Sequence, residues 1–82
     1  MIDHVKILDL ARENHWDEAH RLVQPFSDSL SCQIHAYLHR VEGDDWNADY
    51  WYAKAGIPRP ANSVEQELVR LYGLVRSSQA SC

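Results

Sequence analysis

HAYLHRVEGDDWNADYWYAKAG, residues 35–56, decides how this chain folds. Its first half continues an apolar series that begins upstream. Leu30, Ile34, Tyr37, Leu38 and Val41 fall at i, i+4, i+7, i+8 and i+11, the spacing of one helix face. Gly43 then suits the left-handed position that closes a last turn, and Asp44 or Asp45 supplies the cap of a new helix. From Trp46 to Ala55, the residues Ala48, Trp51, Tyr52 and Ala55 share a face. Gly56 lets Ile57 fold back on Tyr52, and Pro58 prevents continuation. The stretch predicts a helix over about 30–42 and another over about 46–55, joined by a tight turn.

The same reading extends in both directions. A first helix is expected from Ile2 to Glu13, with apolar residues around much of its circumference. Asn14 should stop it and cap the next by accepting from the backbone of Asp17. A short second helix, His15 to about Gln24, turns Trp16, Ala19, Leu22 and Val23 inward, and Pro25 ends it. Phe26 to Ser29 is a connector with several candidate caps. Residues 57–62 read as a stiff linker. Ser63 with Gln66, or Asn62 with Glu65, makes a capping box for a fifth helix, with Val64, Leu68, Leu71 and Val75 on its stripe. No segment alternates apolar and polar residues as a half-buried strand does. The expected fold is all-α: one domain over 1–77, a compact bundle or stack of four to five short helices built from hairpins, then a flexible tail over 78–82.

Composition narrows the function. The formal charge is −4, and Arg59, Arg70 and Arg76 are too few and scattered for the basic face that nucleic acid requires. No apolar run approaches the roughly 20 residues that span a bilayer, so no membrane role is expected. The N-terminus lacks the basic-then-apolar order of a signal peptide, which points to the cytoplasm. Cys32 and Cys82 are too far apart, with Cys82 on the tail, to read as a disulfide framework. Cys82 is the one candidate for oxidative cross-linking between chains.

The five histidines are the chemically distinctive residues. His35 and His39 lie one helical turn apart on one face, the arrangement in which a helix chelates zinc or a related metal. One helix cannot complete such a site, so His20 or His15 would have to join. The acid of an H-E-x-x-H motif is missing, because the run is His-Ala-Tyr-Leu-His. The competing structural reading places these imidazoles at a core edge, stacked on Trp16 or Trp51. A third reading is a small-ligand or peptide groove. Antiparallel packing of helices two and three would bring His20 and Gln24 toward His35, His39 and Glu42, with Asn47 and Trp51 as the other wall. His39 with Glu42 has the i, i+3 spacing of a base and its orienter. No serine or cysteine nucleophile stands near it in the pattern, so the reading leans away from catalysis. Trp46 and Tyr50 are i and i+4, roughly opposite the Ala48/Tyr52/Ala55 seam, and mark a partner surface if that side of the helix is exposed.

Residues 16–20, Gln24 and 35–52 together resemble a group of small bacterial proteins with the core H-A-x-L-H-R-x-E-G-D followed by N-x-x-Y-W. The resemblance is close over residues 35–56 and implies a small helical bacterial protein without implying an activity. Trp16-Asp17-Glu18-Ala19 and Trp46-Asn47-Ala48, about 30 residues apart, add a loose similarity to tetratricopeptide hairpins. The expectation is a non-catalytic interaction or self-assembly module, a homo-oligomer. The alternative is a metal- or small-ligand-binding protein that uses the histidine-rich groove, with zinc as the candidate cofactor.

Overall fold

Three residues in the left-handed conformation punctuate the chain: Asn14 (φ 66°), Gly43 (φ 83°) and Gly56 (φ 91°). The computed structural model describes residues 3–80, with side chains as far as residue 77. It contains five helices: α1 (His4–Arg12), α2 (Trp16–Val23), α3 (Ser29–Val41), α4 (Asp45–Ala55) and α5 (Val64–Ala80). There is no strand among the described residues.

At each left-handed residue its own backbone N–H and the next one return to the preceding helix. After α1, Asn14 N–H donates to Ala11 O (3.1 Å) and His15 N–H to Leu10 O (2.8 Å). After α3, Gly43 N–H reaches Arg40 O (3.0 Å) and Asp44 N–H reaches His39 O (2.9 Å). After α4, Gly56 N–H reaches Ala53 O (3.0 Å) and Ile57 N–H reaches Tyr52 O (3.1 Å). Each is a Schellman stop, which satisfies carbonyls that the helix end would leave unpaired. Nothing lies within 4 Å of a Cβ built on Gly56, so Gly56→Ala meets only backbone strain. Urea unfolding should find it about 1–2 kcal/mol less stable.

The helix starts are as local as the stops. Asp28 and Asp44 accept from the backbone N–H of Ser31 (3.0 Å) and Asn47 (3.2 Å). Ser63 and Gln66 exchange reciprocal bonds of 2.9 and 3.0 Å, the capping box read from the sequence. The start of α2 corrects an expectation. His15, not Asn14, is the capping residue, and no side chain accepts there. In the left-handed conformation Asn14 serves to stop α1, one of the few non-glycine residues that does so readily.

α3 is the central helix. It packs against all four others, while α1 also packs on α2 and α5. One side of α3 (Ile34, Tyr37, Leu38) joins Ile7, Leu8, Ala19, Val23, Leu71 and Val75 in the main core. Its other side carries Ala36, which packs with Ala48 and Tyr52 of α4 in a smaller cluster edged by Trp51 and Ile57. Every residue from Ser31 to Leu38 is therefore buried. Each fully buried leucine or isoleucine contributes about 1.5–3 kcal/mol by leaving water. Val41 was expected on the buried seam and is instead 46% exposed, because the chain turns away at Glu42 and Gly43.

Side-chain ties between helix ends show the directions. Trp16 at the start of α2 donates to Leu38 O near the end of α3, and Ser29 at the start of α3 donates to Ala55 O at the end of α4. α2, α3 and α4 thus run alternately, with α5 closing the core from the α1/α3 side. No helix among the described residues is long and apolar enough to cross a membrane. α5 extends to Ala80, and the remainder of the tail expected over 78–82, with Cys82, lies outside the described residues.

Candidate functional site

Helix periodicity and the short α2–α3 connector together gather three imidazoles. On α2, Trp16 and His20 are one turn apart, and their rings stack at 4.7 Å with planes 10° apart. On α3, His35 and His39 are also one turn apart and stack at 5.1 Å. Antiparallel packing sets His20 edge-on to both, with ring centroids 4.7 Å from His35 and 5.3 Å from His39. The Nε2 atoms of His20 and His35 are 3.1 Å apart. One ring nitrogen from each of the three lies within 4.8 Å of the other two.

Two tryptophans bracket this cluster. Trp16 covers His20, and its indole N–H donates to Leu38 O at 2.6 Å. Trp51 of α4 stacks on His35 at 3.9 Å, and Lys54 Nζ lies 4.7 Å over the Trp51 ring. His39 is pinned on its far side, where Nδ1 pairs with Glu42 Oε1 at 2.7 Å. That bond directs Nε2 of His39 away from Glu42. His35 is 2% exposed, and its Nδ1 has no hydrogen-bond partner.

Electrostatics keeps the inner rings neutral. Burial, reinforced by His20, His39 and Lys54, pushes the His35 pKa down to about 4. Burial and His39 also lower that of His20, against the opposing pull of Glu42 and Asp17. A neutral imidazole offers one N–H and one lone pair, so the His20–His35 contact is an N–H···N bond in which one ring donates.

The residues expected at the site divide. His20, His35, His39, Glu42 and Trp51 come together. Gln24 is exposed and outside the cluster. Asn47 is turned to Asp44, donating from both its backbone and its side chain, so it serves the α4 cap and not a wall. His39, Glu42 and Asp44 form a second close group, but Asp44 is committed to that cap. His15 is exposed at the α2 start, and Cys32 faces Ser27 O at 3.6 Å. Trp46 and Tyr50 lie on the outward side of α4, 77% and 52% exposed.

The sequence reading passed over a second polar assembly. Glu67 is fully buried and accepts from Tyr52 Oη (2.6 Å), Asn62 Nδ2 (2.9 Å) and two nitrogens of Arg70 (2.7 Å each). Arg70 also donates to Gln33 (2.8 Å), and Arg40 donates to Asn62. The assembly stitches α3, α4, the linker and α5. The local signals were the i, i+3 spacing of Glu67 and Arg70 and the nearness of Asn62; Tyr52, Gln33 and Arg40 are distant in sequence. Its donors and acceptors are mutually paired, so it reads as structure.

No protein family, curated protein or solved structure matches the chain.

Proposed function

We propose that this protein is a non-catalytic, cytoplasmic interaction module that self-associates through the outer face of α4. The observation that carries the reading is the pair Trp46 and Tyr50, one turn apart and largely exposed, on a helix whose other face is already committed to Ala36, His35 and the core around Tyr52. Trp46, Tyr50 and the exposed Ala53 fall within about 60° of the helix circumference. An exposed tryptophan in such a patch is the residue type that dominates interface energetics.

A second copy is the favoured partner because a small apolar patch about a two-fold axis is complementary to itself. Charge does not oppose this. Asp45 and Asp49 beside the patch are both bridged by Arg59, at 3.0 and 3.1 Å, which offsets the acidic edge. The formal charge of −4 speaks against a nucleic-acid partner. The buried, unpaired Cys32 thiol suits a reducing compartment.

Sedimentation velocity across a concentration series tests this. Wild type should show a monomer–dimer equilibrium. Trp46→Ala should keep its helical circular dichroism and dissociate about 30-fold more easily, the equivalent of roughly 2 kcal/mol. A wild type that stays monomeric at the highest concentrations would remove the reading, as would a Trp46→Ala chain that dimerises equally well.

A further inference from the structure

We infer that His20, His35 and His39 form a binding site for a divalent late transition-metal ion, with zinc as the reference case. Three observations carry this. The first is convergence: two helices deliver three imidazoles, with a nitrogen of each within 4.8 Å of the others. A tetrahedral ion at ordinary Zn–N lengths needs nitrogens about 3.3 Å apart. His20 and His35 already stand at 3.1 Å, and the His39 nitrogen lies no more than 4.8 Å from either.

The second is enclosure. Trp16 stacks on His20 and Trp51 on His35, and His35 is 2% exposed, so its ring presents a nitrogen to the cluster out of bulk water. The His20–His35 N–H···N bond is replaced by two N–metal bonds; the donor ring gives up its Nε2 proton and carries one on Nδ1 instead, so both rings stay neutral and no net proton is released. The third is the outer support. His39 Nδ1 is held by the Glu42 carboxylate at 2.7 Å, which anchors the ring and leaves Nε2 free of that bond, the carboxylate–histidine arrangement that orients metal ligands.

The charged groups around the cluster are mixed: Glu42, Asp17 and Asp44 favour a cation, while Lys54 opposes it. Imidazole-only ligation selects zinc, copper or nickel over magnesium or calcium. Three protein nitrogens leave the fourth position to water or a small exogenous base, as in open zinc sites.

The test is a cobalt(II) titration followed by zinc displacement, performed in the wild-type chain and repeated in Trp46→Ala so that a site within one copy is separated from one shared between copies. The expected result is one equivalent of cobalt with visible bands of four-coordinate geometry, displaced by zinc, and a melting temperature that rises with zinc. Glu42→Gln should weaken binding 10- to 100-fold, as loss of such an outer partner does. His39→Ala should weaken it further, while His15→Ala, outside the cluster, should leave it unchanged. Absent cobalt bands together with a zinc-insensitive melt overturn the inference without any variant having to fold. Full binding by His39→Ala, or loss in His15→Ala, overturns it equally.

Discussion

Glu67→Ala is expected to destabilise the fold by about 3 kcal/mol or more, because it removes the acceptor from a buried charged pair and leaves the donors behind. Four hydrogen bonds converge on this carboxylate from three parts of the chain. Burial pushes its pKa up, yet the bonds from Arg70, Tyr52 and Asn62 outweigh that and hold it below the usual glutamate range. The Tyr52 phenol is correspondingly held above its ordinary value, by burial first and by Glu67 second. Truncation strands the Tyr52 hydroxyl in a dry cluster. Arg70, 31% exposed, recovers part of its hydration, which keeps the expected loss at the lower end of the range for buried pairs. Against a total of about 5–15 kcal/mol for a domain, the loss is large. Glu67→Gln keeps an acceptor for Tyr52 and should lose less. Urea midpoints with unchanged slopes measure both, and a Glu67→Ala chain within 1 kcal/mol of wild type would mean that the network contributes no net stability.

The contrast between what was legible and what was not follows from sequence distance. Gly43, Gly56 and the Ser63/Gln66 box act on residues within a turn or two, so their spacing reveals them. The His35/His39 pair and the outward Trp46/Tyr50 pair are likewise one-turn relations. Glu67 finds Tyr52 fifteen residues away, and Arg70 finds Gln33 thirty-seven away, and no local pattern encodes either. The apolar seam of α3 hid a further fact. A one-sided stripe implies a helix with one solvent face, whereas the small residues Ala36 and Ala48 let α4 approach closely enough to cover the other side. That is why His35, read as lying at a core edge, is buried. Asn14 shows a different ambiguity: the same residue type favours both a helix start and a left-handed stop, and the returning bond from His15 to Leu10 decides between them.

Burial of His35 predicts an acid-sensitive fold with a definite sign. Its pKa is about 4 in the folded chain and 6.5 in the unfolded one, so below 6.5 the unfolded state binds the extra proton. The stability that comes from keeping this ring neutral is complete above pH 6.5 and is lost as pH falls toward 4, amounting to about 3 kcal/mol. His20, also lowered, adds to the loss in the same direction. The carboxylates of Glu67, Asp28 and Asp44, held below their ordinary values by donated hydrogen bonds, lose their own contributions as the medium becomes more acidic. His35→Leu separates these effects. It fills the space beside Trp51 with a side chain that cannot titrate and removes the unpartnered Nδ1, so its stability at pH 7 should lie within about 1 kcal/mol of wild type. At pH 4.5 it should exceed wild type by roughly 2 kcal/mol, because the carboxylate losses are common to both chains and only the imidazole differs. Urea unfolding of the two chains at both pH values gives the difference directly. Parallel stability–pH curves would show that His35 is protonated within the folded state at little expense, and that the packing of Trp51 against it relaxes to admit water.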